Sequence, residues 1–204
     1  MNLAMKLNGK EKGNIMVKII DNCCSTAYLD CLKQVASNSE NWTLKYPNGK
    51  ELEDKFPKLE IIVNGMFKDP FVSGLALGLI LQIHERVGQE LFFPEINTCG
   101  ISIKDNHSSG DNMHIDEGGN GEKGSELFVK VVGLLNSDWQ EEWGGGLFCD
   151  ETSYYAKPTS FYIFDPSIPH MSEEIVTDKK RLAIDFTVFK DQQSRELYYE
   201  IPQL

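Results

Sequence analysis

The pattern of apolar and polar positions changes character near residue 95. Before it, two stretches show helical spacing. Ala27, Leu29, Leu32 and Val35 follow Ser25, whose hydroxyl suits a helix N-terminus, so the spacing predicts a helix from about Thr26 to Val35. Phe71, Leu75, Leu77, Leu79, Ile80, Ile83 and Val87 predict a second helix, from Pro70 to about Val87, buried on a broad face. Gly74 and Gly78 lie four apart on it and would allow close packing. Ile15 to Ile20 and Asn41 to Tyr46 read as short strands, Pro47-Asn48-Gly49 as a turn, and residues 50–70 have no clear period. After Pro94, short apolar runs alternate with turn-rich segments, at 96–104, 113–116, 126–136, 146–149, 160–164, 168–176 and 181–189. Strand-sized runs that follow helices predict a mainly β fold with a helical buttress, an antiparallel sandwich or barrel. No internal repeat or low-complexity linker appears. The break therefore reads as a change of layer within one domain: 1–95 as support, 96–189 as the β core, and 190–204 as a polar tail that packs back on the helices.

Composition narrows this picture modestly. The 204 residues are 41% hydrophobic and 25% charged, which is enough apolar material for a core. With 20 basic and 31 acidic residues the net charge is −11, a poor match for nucleic acid or an anionic membrane. An acidic surface would favour a basic or neutral substrate. The five cysteines are odd in number and form no CxxC pair, as expected of free thiols in a reducing cytoplasm. The first fifteen residues contain no apolar leader core, and the longest apolar stretch, Phe71 to Ile83, is too short to span a bilayer. The expectation is a cytoplasmic protein. Nothing in the chain signals an oligomeric state.

The chemistry gathers around Met-His-Ile-Asp, residues 113–116. On an extended strand, residues two apart share a face, so the His114 imidazole and the Asp116 carboxylate can grip one ion. His170, in Ser-Ile-Pro-His-Met, is the best candidate for a third ligand brought in by the fold. Arg181 follows eleven residues later, at the head of an apolar strand. His107 lies in the polar loop before His114 and is set aside as a ligand. Trp139 and Trp143 read as packing beneath a loop.

These residues sit in a wider order: His114-Ile115-Asp116, Leu-Leu-Asn136-x-x-Trp139, Gly145-Gly146-Leu147, Phe164-x-Pro-x-x-Pro-His170 and Arg181-Leu-Ala-Ile. From about Ile96 to Phe189 the chain resembles the prolyl 4-hydroxylase-like 2-oxoglutarate/Fe(II)-dependent dioxygenases. The resemblance implies a double-stranded β-helix, or jelly roll, preceded by N-terminal helices. It implies that His114, Asp116 and His170 hold Fe(II), a set that leaves coordination positions open. Arg181 would hold the distal carboxylate of 2-oxoglutarate, since a guanidinium pairs with a carboxylate in a two-pronged way. O2 would be the other cosubstrate, with ascorbate a candidate auxiliary. The implied reaction is hydroxylation of an unactivated C–H bond, in a prolyl residue of a peptide or a related small molecule. The chain departs from the family at Leu134, where some relatives place a tyrosine that helps bind the same carboxylate. Lys130 shares the parity of Leu134. If Leu134 lay opposite Arg181, Lys130 would lie opposite Asp185 and pair with it. Two other functions compete: a jelly roll kept as an inactive binding module, and a zinc hydrolase, because two His and one Asp with water also suit zinc.

Overall fold

The computed structural model describes residues 17–45, 56–88, 91–106, 112–116, 125–155 and 157–200. Ser25 opens helix α1 (Thr26–Ser37) by accepting a hydrogen bond from the Tyr28 N–H at 3.2 Å. The helix runs two residues beyond the predicted end. Helix α2 (Pro70–Val87) has the predicted bounds: the Asp69 side chain accepts from the Val72 N–H, and Pro70 fills a first-turn position that needs no donor. Strands β1 (Lys18–Ile20), β2 (Trp42–Lys45), β3 (Phe56–Val63), β4 (Met66–Phe67) and β5 (Phe93–Lys104) come from the first half. The second half supplies β6 (Phe128–Leu134), β7 (Leu147–Cys149), β8 (Thr152–Tyr154), β9 (Phe161–Phe164), β10 (His170–Ser172), β11 (Arg181–Phe189) and helix α3 (Gln192–Glu200).

The strands form two antiparallel sheets, the two walls of the expected jelly roll. The large one runs β1-β9-β6-β11-β5-β3-β2, with β4 on β3; the small one runs β10-β7-β8. Alternation along the central strands separates two environments. Val129 and Val131 of β6, Ile163 of β9 and Ile184, Phe186 and Val188 of β11 pack with Leu29 and Leu32 of α1 and Leu79 and Ile80 of α2. Their neighbours of opposite parity, including Lys130, Tyr162, Arg181 and Asp185, face a cavity between the sheets. One apolar core thus draws on both halves of the chain, and burying it fixes which residues face inward.

Several expectations need correction. Residues 50–70 contain β3, whose Leu59, Ile61 and Ile62 are all buried. A register shift against β5 between Glu60 and Ile62 breaks the two-residue alternation that would have revealed it. The described part of the tail, helix α3, packs chiefly on the β core. Tyr198 of α3 packs with Leu127, Phe128 and Phe189 at the ends of β6 and β11, and the Tyr199 hydroxyl donates to Glu95 at 3.0 Å. The turn at Pro47-Asn48-Gly49, residues 1–13 and His107 lie outside the described residues. All five cysteines are unpaired. Among the described residues no helix is long and apolar enough to cross a membrane.

Only one of the two α2 glycines is a close-packing residue. A Cβ on Gly78 would collide with the Tyr28 hydroxyl, which donates to the Leu75 carbonyl at 2.7 Å, whereas one on Gly74 would meet open space. Gly78→Ala should therefore destabilise the protein by about 1–3 kcal/mol through overpacking. Gly74→Ala should stabilise it by about 1 kcal/mol through helix propensity. Thermal unfolding of the two variants decides, and stabilisation by both would remove the tight α1–α2 contact.

Candidate metal centre

His114 precedes β6 by a long connection, yet it forms an isolated antiparallel bridge with His170 at the edge of the small sheet. The His114 N–H donates to the His170 carbonyl at 3.0 Å, and the His170 N–H donates back at 2.8 Å. Directly opposed residues of an antiparallel pair put their side chains on one face, so the two imidazoles meet with ring centroids 4.6 Å apart. Each ring is oriented in the same way. Nδ1 of His114 lies 2.8 Å from the Asn112 carbonyl, and Nδ1 of His170 lies 2.8 Å from the Ile168 carbonyl. A carbonyl only accepts, so each Nδ1 carries the proton and each Nε2 keeps a lone pair. Both Nε2 atoms face one oxygen, Asp116 Oδ1, at 3.5 and 3.8 Å. Asp116 is held by its N–H, which donates to the Pro166 carbonyl at 3.0 Å. One ligand atom from each of the three residues lies within 4.8 Å of the others. Two neutral imidazoles and a carboxylate turned inward form a donor set suited to a divalent metal ion.

The second oxygen of Asp116 is occupied. Lys130 Nζ lies 3.2 Å from Asp116 Oδ2 and 3.5 Å from Asp185 Oδ1, and Lys58 Nζ lies 3.8 Å from Asp185 Oδ2. The suspected Lys130–Asp185 pair therefore exists, by a different register. Leu134 opposes Ala183, so Lys130 faces Thr187 and reaches Asp185 diagonally. A shift of two residues keeps every side chain on its face. Burial alone would raise the Asp116 carboxyl; the Lys130 ammonium outweighs it, and the carboxyl is held well below the usual carboxylate range. Burial likewise opposes ionisation of Asp185, and Lys58 and Lys130 overcome it. Burial would lower Lys130, but its two carboxylate partners push it above the ordinary lysine value. His170 is displaced downward, chiefly by burial, which favours the neutral ring that a metal needs.

Arg181 opens β11 and is 7% exposed. Asn136 clips the backbone on both sides of it: Nδ2 donates to the Lys180 carbonyl at 3.0 Å, and Oδ1 accepts from the Leu182 N–H at 2.7 Å. Gly145 leaves room for the side chain, since a Cβ there would lie 2.7 Å from Arg181 Cδ. Trp139 Nε1 donates to the Gly144 carbonyl at 3.0 Å, which fixes the glycine run from beneath, with Trp143 edge-on to Trp139. Leu134 is buried with Trp139, Ile175 and Ala183. Asp150 and Glu151 form the β7–β8 hairpin turn with positive φ, and Tyr154 packs toward Tyr162 instead of lining the cavity.

His114, Asp116, His170 and Arg181 all line one cavity of about 390 Å³. It also takes in residues that sequence reasoning passed over, among them Lys45, Lys58, Lys104 and Tyr162. Among the described residues its wall carries five cations, with Lys130 and Arg181, against three carboxylates, Glu60, Asp116 and Asp185. The pocket thus reverses the sign of the whole chain, and net charge was no guide to what it accepts. Lys104 and Tyr162 sat in strand-like runs, but only long-range pairing shows which cavity such residues face.

No family model matches the chain, and no curated protein matches it. Solved structures do. An oxidoreductase of the 2OG-Fe(II) oxygenase family from Burkholderia pseudomallei is 12% identical, with a TM-score of 0.63 over 85% of this chain and 85% of its own. A prolyl hydroxylase from Trichoplax adhaerens, in complex with a hypoxia inducible factor oxygen degradation domain peptide fragment, is 18% identical, with a TM-score of 0.56 over 89% and 86%. The non-heme alpha ketoglutarate dependent epimerase SnoN from nogalamycin biosynthesis is 12% identical, with a TM-score of 0.62 over 86% and 78%. The fold is that of the 2-oxoglutarate/Fe(II) oxygenases, a jelly roll with helices on its large sheet. Within that class the chain is similar in fold to prolyl hydroxylases and also to an enzyme of different chemistry, so fold alone does not choose a substrate.

The ion-pair chain predicts coupled stability. Lys130→Met leaves the half-buried Asp116 without its lysine and Asp185 with Lys58 alone, and should cost about 1–3 kcal/mol. Asp185→Asn added to it should cost less than the sum of the single changes, because the two side chains share one interaction. Urea unfolding of the four proteins measures the coupling; strict additivity would mean that the pair carries no energy.

Proposed function

We propose that the chain is an Fe(II)- and 2-oxoglutarate-dependent dioxygenase that hydroxylates an unactivated C–H bond. The observation that carries this reading is the convergence of both histidine Nε2 atoms on one oxygen of Asp116, in a cavity that also contains the buried Arg181. His114, Asp116 and His170 would hold the metal, and Arg181 the distal carboxylate of the cosubstrate. When bound, iron with 2-oxoglutarate and O2 supplies the oxidising power for the C–H bond. The chain's own residues orient and shield. The carbonyls of Asn112 and Ile168 keep the metal-facing nitrogens unprotonated. Lys130 keeps Asp116 ionised and engages Oδ2, which leaves Oδ1 for the metal. Phe164, edge-on to His170 at 4.9 Å, covers that ligand from the apolar side. The reading takes residues 1–204 as one catalytic unit, in keeping with the shared core.

The substrate reading is a prolyl residue in a peptide or a related small molecule. The Trichoplax adhaerens neighbour supports it, being a prolyl hydroxylase in complex with a peptide fragment, while SnoN marks the breadth of chemistry on this fold. Ascorbate would be an auxiliary. A zinc hydrolase would give the buried Arg181 no task.

Anaerobic titration of the Fe(II)-loaded protein with 2-oxoglutarate tests the proposal without a substrate. A weak visible charge-transfer band should appear and saturate. His114→Ala and Asp116→Ala should abolish it while leaving folded protein, and Arg181→Ala should raise the 2-oxoglutarate concentration needed. Full iron occupancy with no band would point instead to an inactive binding module.

A further inference from the structure

The cavity carries more positive charge than the proposed chemistry consumes. Among the described residues its wall sets five cations against three carboxylates, a surplus of two. A divalent metal ion and doubly charged 2-oxoglutarate cancel each other, so the loaded cavity keeps that surplus. The surplus has a location. Around the triad and along β6 and β11, Lys130 and Arg181 are matched in number by Asp116 and Asp185. Along β2, β3 and β5, Lys45, Lys58 and Lys104 are matched by one carboxylate, Glu60. These residues surround a ring. Phe56, Lys58 and Glu60 alternate along β3 and share the face that lines the cavity. Lys45 of β2 directly opposes Phe56, and Lys58 directly opposes Ser102 of β5. Lys104, two residues beyond Ser102, donates to the Ser172 hydroxyl at 3.2 Å and carries its ammonium 4.7 Å from the centre of the Phe56 ring. Lys45 pairs with Glu60 at 3.0 Å, and Lys58 reaches Asp185 at 3.8 Å. Three lysines on three adjacent strands thus frame one aromatic ring, and like charges on neighbouring strands repel unless an anion lies among them.

We propose that the substrate is an amphipathic acid, whose apolar stem lies against Phe56 and whose carboxylate is held by Lys45, Lys58 and Lys104. The assignment rests on the dioxygenase reading above and names the substrate class for it. Lys45 and Lys58 are partly exposed, so an incoming anion meets them from solvent, whereas Lys104 is buried. An ammonium is a compact point charge with three donors on a flexible stem, and several of them can follow a carboxylate without the fixed fork of a guanidinium. Inside a cavity such a pair is screened by salt less than one on the open surface, and a hydrogen bond to a charged acceptor is the stronger kind. The same carboxylate is offered by an acidic residue next to the hydroxylated residue of a peptide and by a small organic acid.

Two acid–amide pairs of equal shape test the charge preference without turnover. The protein is saturated with Mn(II) in place of iron and with 2-oxoglutarate, so that Arg181 is occupied. It is then titrated by calorimetry with phenylacetate and phenylacetamide, and with blocked prolyl tripeptides that carry either Glu or Gln before the proline. In at least one pair the acid should bind about tenfold or more tightly than its neutral partner, and added salt should shrink that advantage. A preference in the peptide pair supports a peptide substrate, and one in the phenylacetate pair alone supports a small acid. The double variant Lys45→Gln, Lys58→Gln should lose most of the preference while still binding Mn(II) and 2-oxoglutarate. No preference in either pair, or a preference that the double variant keeps in full, would overturn the assignment and leave the dioxygenase reading standing. A wild type that binds Mn(II) but not 2-oxoglutarate would overturn that reading, and this assignment with it.

Discussion

Two backbone hydrogen bonds, between the amide and carbonyl groups of His114 and His170, hold the site together. They join a segment that precedes β6 to a strand more than fifty residues later, and they leave the two imidazoles no choice of side. The rest of the metal end follows from that bridge. Each ring is turned by the carbonyl two residues before it, Asn112 for His114 and Ile168 for His170, so the same local arrangement occurs on both strands. Asp116, two residues beyond His114, returns to the same face and is anchored on the Pro166 carbonyl. The three donors are convergent because backbone geometry makes them so, before any ion arrives.

Convergence has an electrostatic cost, which the large sheet offsets. A carboxylate next to two imidazoles in a cavity loses hydration, and a second carboxylate, Asp185, lies nearby. Lys130 lies between them, and Lys58 takes the outer oxygen of Asp185. Two cations and two anions therefore alternate from Asp116 toward β3. This accounts for the presence of Lys130 and Asp185 on strands whose opposite face is apolar core. Removing one member leaves the others mismatched in low dielectric, where an unpaired charge is far more costly than at the surface.

Much of this was legible before any coordinates. The pairing of His114 with Asp116 and both N-terminal helices are written in local spacing and capping residues, which act over a few positions. The Lys130–Asp185 contact was legible from parity alone, and it survived a register two residues away from the assumed one because such a slip preserves faces. The features that escaped are non-local or irregular. Strand β3 was hidden by its bulge against β5. Helix α3 lies in a polar stretch whose one deeply buried aromatic, Tyr198, gains meaning only beside Phe128 and Phe189. Lys58, Lys104 and Tyr162 could not be placed in the pocket without knowing which strands pair. The net charge of −11 misled about the pocket, because a whole-chain sum says nothing about a cavity lined by five cations.

The two ends of the cavity are built by different means and meet on one strand. At the His114–Asp116–His170 end, ion pairs and imidazole hydrogen bonds set the geometry. At the other end, Arg181 is placed by the backbone: Asn136 grips residues 180 and 182, and Gly145 gives the guanidinium stem space that any side chain would take. Strand β11 links the two. Asp185, which reaches Asp116 through Lys130, and Arg181 lie four residues apart on one face, about 13 Å along an extended strand. That spacing is stiff, because β11 is paired on both sides, with β5 and β6. A flexible loop carrying either residue would let the distance drift. A central strand holds Arg181 at one end and the ion-pair chain at the other to a fixed separation.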